Sequence, residues 1–182
     1  MNYTNVDYNS PFGILTRVWG PIQWQFLHMM SFNYPVMPTN DDKMHYYNYV
    51  ESLKYILPCR SCRENIEKNL KTVNFNMAKM KNRDTFSRFI YNLHNIVNVM
   101  LGKKNYLTYE EVRDRYELFR ATCSQETATT ESGCIIPVNK IKSRCVIHIV
   151  PLTKSVESFA IDKRCLPKQL KSKKISKKIS KK

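Results

Sequence analysis

Cys59 and Cys62 form a Cys-x-x-Cys pair within Ile56-Leu57-Pro58-Cys59-Arg60-Ser61-Cys62-Arg63. Thiols at this spacing close into a small, readily reduced disulfide. A helix start at Pro58, with Arg60 and Arg63 alongside, favours the thiolate, which is the reactive form of the sulfur. Cys-x-x-Cys also supplies half of a zinc site, which needs a second ligand pair. Dithiol redox chemistry is the stronger reading, and no metal is expected.

The bulk properties agree. Met1 to Asn9 lacks the basic start and apolar block of a signal peptide, so entry to the secretory route is not expected. Six cysteines in such a chain point to redox work, because cytosolic disulfides tend to be catalytic. The 182 residues, 42% hydrophobic and 12% aromatic, suffice for one globular domain plus an extension. No apolar run reaches the ~20 residues that cross a bilayer. The net charge is +15, but Lys168 to Lys182 holds eight lysines and no acid, which leaves +7 for the rest. The basic character is partly that of a disordered tail over 167–182.

Five helices are expected to carry the site. Trp19-Gly20-Pro21 predicts the first, with Pro21 at its first position; Trp24, Leu27, His28 and Ser31 share a face, and Tyr34-Pro35 ends it. Thr39 to Asp42 predicts a cap for a second helix with Tyr46, Tyr49, Val50, Leu53, Ile56 and Leu57 facing inward. A third helix runs from Pro58 to Leu70, and a polar surface loop follows over 69–82. Asp84 or Thr85 caps the fourth, whose core face is Phe86, Phe89, Ile90, Leu93, Val97, Met100 and Leu101, with Gly102 as its C′ residue. His94, Asn95 and Asn98 lie beside that stripe. Asn is a poor helix former, so this face is chosen for hydrogen bonding. Thr108 to Glu111 predicts a capping box for a short fifth helix with Val112, Tyr116 and Phe119 on its apolar side. Residues 122–133 read as linker and Cys134 to Leu152 as one or two short strands.

A helical bundle with a reactive dithiol, an aromatic and convergent hydrogen-bonding groups suits a flat, polar, two-electron cofactor such as a flavin. Trp24-x-x-Leu27-His28, Tyr34-Pro35, Pro58-Cys59-x-x-Cys62 and His94-Asn95-x-Val97-Asn98-x-x-Leu101-Gly102-Lys103 stand in the order and spacing of one family. Over Phe12 to Phe119 the chain resembles the Erv/ALR FAD-linked sulfhydryl oxidases. Val112-x-x-Arg115-Tyr116 is similar to that family's closing Arg-Trp motif, with Tyr in place of Trp.

The resemblance implies an all-α fold, a four-helix bundle plus a short fifth helix, holding FAD noncovalently. Residues 1–11 would be an N-terminal lead, 12–120 the FAD-binding domain, 121–166 a small extension of uncertain, possibly β, structure, and 167–182 the tail. Gly20, Trp24, His28, His94, Asn95, Asn98, Lys103, Arg115 and Tyr116 would surround the cofactor. Cys59 would exchange with protein thiol substrates and Cys62 would face the flavin, with oxygen as the final acceptor and hydrogen peroxide as product. A thioredoxin-like carrier or virion proteins would supply the thiols. A homodimer is expected, with Tyr46, Tyr47 and Tyr49 as exposed aromatics for it. The Lys/Asn-rich composition is similar to versions from large cytoplasmic DNA viruses, which implies the infected-cell cytoplasm or the virion.

Two departures stand out. Leu57 precedes Pro58 where the family often has Tyr or Phe. Many members also tie the fourth helix to the loop after Leu-Gly-Lys by a disulfide; here those places hold Tyr91 and the Tyr106–Thr108 region, with no cysteine. Cys123, Cys134, Cys145 and Cys165 lie outside the family core and allow three pairings, as an electron shuttle or as a structural staple. The competing function class is a basic protein binding nucleic acid or a membrane surface through its lysine tail, with a non-catalytic Cys-x-x-Cys. A thioredoxin-like protein would need a strand before Cys59, where the pattern is helical.

Overall fold

Thr39 accepts a hydrogen bond from the Asp42 N–H at 3.1 Å, and the Thr39 N–H donates to Asp42 Oδ2 at 2.8 Å. This capping box opens helix α2 (Asn40–Ile56). In the computed structural model the described residues are 4–103, 107–124 and 133–166. They fall into two units, Met1–Arg113 and Asp114–Lys182.

In the first unit α2 follows α1 (Thr16–Phe32) and precedes α3 (Arg60–Thr72) and α4 (Arg83–Met100). Leu27, Val50, Leu53, Ile66, Phe86 and Leu93 are among the side chains forming its core. Helix α1 packs most extensively on α4, and α2 on α3. The fold is the expected all-α bundle. The fifth helix, α5 (Tyr109–Glu117), begins in the first unit and ends in the second; it starts from a second capping box in which the Thr108 N–H donates to Glu111 Oε2 at 2.9 Å.

Several boundaries differ from expectation. Helix α1 begins at Thr16, so Pro21 sits inside it. The Trp19 indole N–H donates to the Ile14 carbonyl at 2.9 Å, and the Leu15 carbonyl accepts from the Val18 N–H at 2.9 Å, which together hold the extra turn. The cap of α4 is Asn82, whose Oδ1 accepts from the Thr85 N–H at 2.9 Å, rather than Asp84 or Thr85. The stretch 69–82 is not a surface loop: α3 continues to Thr72, and a 3₁₀ turn at Met77–Met80 buries Met80 completely. Phe75 there stacks on Tyr47 (4.7 Å) and Phe89 (4.9 Å).

Tyr46 and Tyr47 consequently belong to the core rather than to an exposed face. Tyr46 meets Tyr34 edge-on at 4.7 Å, and Tyr49 takes a hydrogen bond from Gln23 at 3.3 Å. Ile56, Met100 and Leu101, expected inside, are exposed, because each stands at the end of its helix beyond the packed layer.

The second unit contains an antiparallel pair, β1 (Ala121–Ser124) and β2 (Gly133–Pro137), with Cys123 opposite Cys134. The expected linker therefore starts as strand, and its residues 125–132 lie outside the described residues, as does the lysine tail. The stretch after Pro137 makes no second strand among the described residues.

Candidate active site

The Cys59 side chain caps α3, its Sγ accepting from the Cys62 N–H at 3.3 Å. The two thiols are unlike. Burial pushes the Cys59 thiol up, but hydrogen bonds from the Cys62 thiol, Ser61, the Cys62 N–H and Thr16 outweigh it and hold Cys59 below the usual thiol range. Burial and donation to Cys59 push Cys62 up to about 11, against the pull of Thr16 and Arg63. Of the two thiols, Cys59 is therefore the one that ionises first and Cys62 the one that keeps its proton. Helix α2, not a strand, leads into the pair.

Thr16 links the dithiol to α1, with its Oγ1 3.7 Å from Cys62 Sγ. From Thr16 the positions Gly20, Trp24 and His28 follow at intervals of four along one ridge of the helix, roughly 18 Å from end to end at 1.5 Å per residue. Gly20 and His28 are buried. Against this ridge α4 sets His94, whose ring stacks on Trp24 with centroids 4.2 Å apart and planes 5° apart. His28 Nε2 lies 2.9 Å from His94 Nδ1, so one imidazole donates to the other. Burial, then the charge of His94, lowers His28 to about 3. Burial, then Lys103, lowers His94 to about 4. Both rings are neutral at physiological pH.

The C-terminus of α4 places Asn98 and Lys103. The Gly102 N–H bonds the Val99 carbonyl at 2.9 Å and the Lys103 N–H bonds the Asn98 carbonyl at 3.0 Å, the two bonds of a Schellman motif, with Gly102 at φ +67°. Asn98 Nδ2 donates weakly to Asn95 Oδ1 at 3.4 Å, while Asn98 Oδ1 is buried with no hydrogen-bond partner among the described residues. Asn95 also borders a shallow open depression lined by Asn92, Ile96, Val99 and Met100. A buried orphan acceptor beside a stacked Trp and neutral imidazoles fits a planar nucleotide cofactor that brings its own donors.

A profile of the Erv1 / Alr family matches residues 21–117. The chain belongs to the Erv1 / Alr family. It is 35% identical over 99 residues to a probable FAD-linked sulfhydryl oxidase of Acanthamoeba polyphaga mimivirus, an alignment covering 54% of this chain and 68% of that protein. It is 32% identical over 84 residues to the FAD-linked sulfhydryl oxidase ERV1 of Arabidopsis thaliana, covering 46% of this chain but only 42% of that protein. The yeast Erv1 core has the same fold, with a TM-score of 0.51 at 24% identity over 63% of this chain and 89% of that one.

Of the expected Erv1 / Alr site residues, the first unit brings together Trp24, His28, His94, Asn95, Asn98 and Lys103, and sets Gly20 on the same ridge. Arg115 and Tyr116 fall in the second unit, where the Tyr116 ring stacks on Phe159 at 5.9 Å. The pairing left open in the sequence is Cys123 with Cys134, while Cys145 and Cys165 are free thiols. Cys145-x-x-His148 has metal-pair spacing, yet among the described residues no three His, Cys, Asp or Glu side chains converge as metal ligands would. Thr16, Tyr8 and the burial of Arg63 were not legible in the sequence. No spacing rule marks a threonine forty-six positions away as a thiol partner.

Proposed function

We propose that this chain is an FAD-linked sulfhydryl oxidase that forms disulfide bonds in protein substrates. The observation that carries the reading is the α1 ridge. It starts at Thr16, beside Cys62, and ends at His28, in contact with His94. The thiol end and the hydrogen-bonding end of a cofactor site thus share one rigid helix. The names of the mimivirus and plant relatives support the same cofactor.

Trp24 offers a ring face for stacking, His28 and His94 offer neutral imidazoles, and Asn95, Asn98 and Lys103 offer hydrogen bonds and charge to the nucleotide. FAD held there would supply a two-electron acceptor for the dithiol, with oxygen as the final acceptor and hydrogen peroxide as product. The protein's part is thiol–disulfide exchange. A substrate thiolate attacks Cys59 Sγ, the Cys59–Cys62 bond breaks, and its electron pair leaves on Cys62. A second substrate thiolate then attacks the substrate sulfur of the mixed disulfide and displaces Cys59. The lowered pKa of Cys59 makes it the better leaving group in that second step.

Ile22, Phe26 and Met29 lie exposed along α1, and this apolar face supports a homodimer. Among the described residues no helix is long and apolar enough to cross a membrane. The mimivirus relative supports a viral source for the enzyme; virion proteins or a thioredoxin-like carrier are its proposed substrates, in the infected-cell cytoplasm or the virion. Purification tests the reading: the protein should be yellow, absorb at about 450 nm as flavins do, and consume oxygen with dithiothreitol. Colourless protein that takes up no FAD and consumes no oxygen refutes it.

A further inference from the structure

The segment preceding α1 is bound to the dithiol turn at several points. The Ile14 N–H donates to the Pro58 carbonyl at 3.0 Å. A Cβ on Gly13 would stand 2.7 Å from that same oxygen, so the strap passes where only glycine fits without displacement. Arg60 Nη1 donates to the Asn9 carbonyl at 2.9 Å, and the Tyr8 hydroxyl donates to the Tyr55 carbonyl.

Arg63 joins these pieces. It is the one Lys or Arg buried among the described residues, 7% exposed, and it directly follows Cys62. One arm of its guanidinium donates to the Leu57 carbonyl at 2.8 Å, two residues before Cys59; the other donates to the Tyr8 carbonyl at 2.5 Å. Its Cζ lies over the Tyr8 ring, 3.8 Å from the centroid. Among the described residues no carboxylate forms an ion pair with it; Arg60, its neighbour on α3, takes Glu64 at 3.5 Å instead. A buried cation held only by carbonyls and an aromatic face is costly unless an anion forms nearby. Opening of the Cys59–Cys62 disulfide creates that anion on Cys62.

We propose that Arg63 is a positioning residue for the dithiol, clamping the strap Tyr8–Ile14 against the Leu57–Pro58 turn and setting a buried positive charge beside Cys62. The proposal rests on the thiol-oxidase reading for its meaning, but not for its test. The pull of Arg63 on Cys62 runs against burial, which otherwise makes Cys62 a poor leaving group. The strap is thereby a fixed wall of the approach to Cys59, not a loose lead.

The test mixes the oxidised full chain with reduced glutathione and follows opening of the Cys59–Cys62 disulfide by quenching and site-resolved mass spectrometry, which needs no turnover with oxygen. Arg63→Met should slow opening about tenfold, because Cys62 leaves without the neighbouring charge, and Arg63→Lys should restore the rate to within about twofold, because the charge returns without the fork. An Arg63→Met chain that melts cooperatively with an unchanged opening rate overturns the electrostatic role. Tyr8→Ala serves even where Arg63→Met does not fold. It should speed hydrogen exchange at the Ile14 amide about tenfold, and unchanged exchange overturns the clamp.

Discussion

The Tyr91 hydroxyl donates to the Leu107 carbonyl at 2.8 Å, joining α4 to the segment that leads into α5. The Tyr91 ring also meets Tyr109 edge-on at 5.8 Å, and Tyr109 bonds Ser87 at 2.7 Å. These are the places where the family resemblance leads one to look for a disulfide. Two hydrogen bonds and one aromatic contact fasten the same join without sulfur. Tyr91→Phe keeps the ring and removes the bond, and should cost about 1 kcal/mol, lowering the melting temperature by several degrees. A melting temperature equal to wild type would mean that packing alone holds the join.

The imidazole pair predicts acid lability. Burial lowers the folded-state pKa of His28 to about 3 and that of His94 to about 4, both below the ordinary histidine value of 6.5. Protons thus bind the unfolded chain more readily in this range. The stability is fully present above about pH 6.5 and falls as the pH drops toward 4. Between pH 6.5 and 5 each ring contributes a loss of at most about 2 kcal/mol. Urea unfolding at these two pH values should show the decline, and His94→Gln should reduce it. A pH-independent midpoint contradicts the burial of both neutral rings.

Asn98 separates a structural role from a ligand role. Its Oδ1 is buried without a partner among the described residues, and its amide makes one long bond to Asn95. Asn98→Ala therefore removes little from the FAD-free protein, whose melting temperature should change by no more than about 2 °C. FAD affinity should fall about tenfold, the equivalent of about 1.4 kcal/mol. Isothermal titration of apoprotein with FAD measures it, and unaltered affinity removes Asn98 from the cofactor set.

Much of this architecture was legible because strong local signals and burial agreed. Phe86, Phe89, Ile90 and Leu93 repeat with helical period, Gly102 takes the positive φ that ends α4, and the expected cap at Thr39 and capping box at Thr108 both form. The pairing of His28 with His94 was implied only as membership of one pocket, since periodicity places residues on a face but does not choose the opposing helix. Other features depend on contacts distant in sequence. Met80 sits among Asn and Lys, whose polarity hid a fully buried side chain. Pro21 suggested a later start for α1, yet the indole bond of Trp19 to Ile14 carries the helix back to Thr16, where it meets Cys62. Arg63 was visible as a charge beside a thiol, while its burial under Tyr8 required the strap's path.

The most direct test of the central claim is anaerobic flavin reduction. Dithiothreitol added to the FAD-loaded wild-type protein without oxygen should bleach the flavin band near about 450 nm, because electrons pass through Cys59 and Cys62. Cys62→Ala should bind FAD and remain yellow under the same treatment. Equal bleaching rates in the two proteins would contradict the account, since electrons would then reach the flavin without the dithiol.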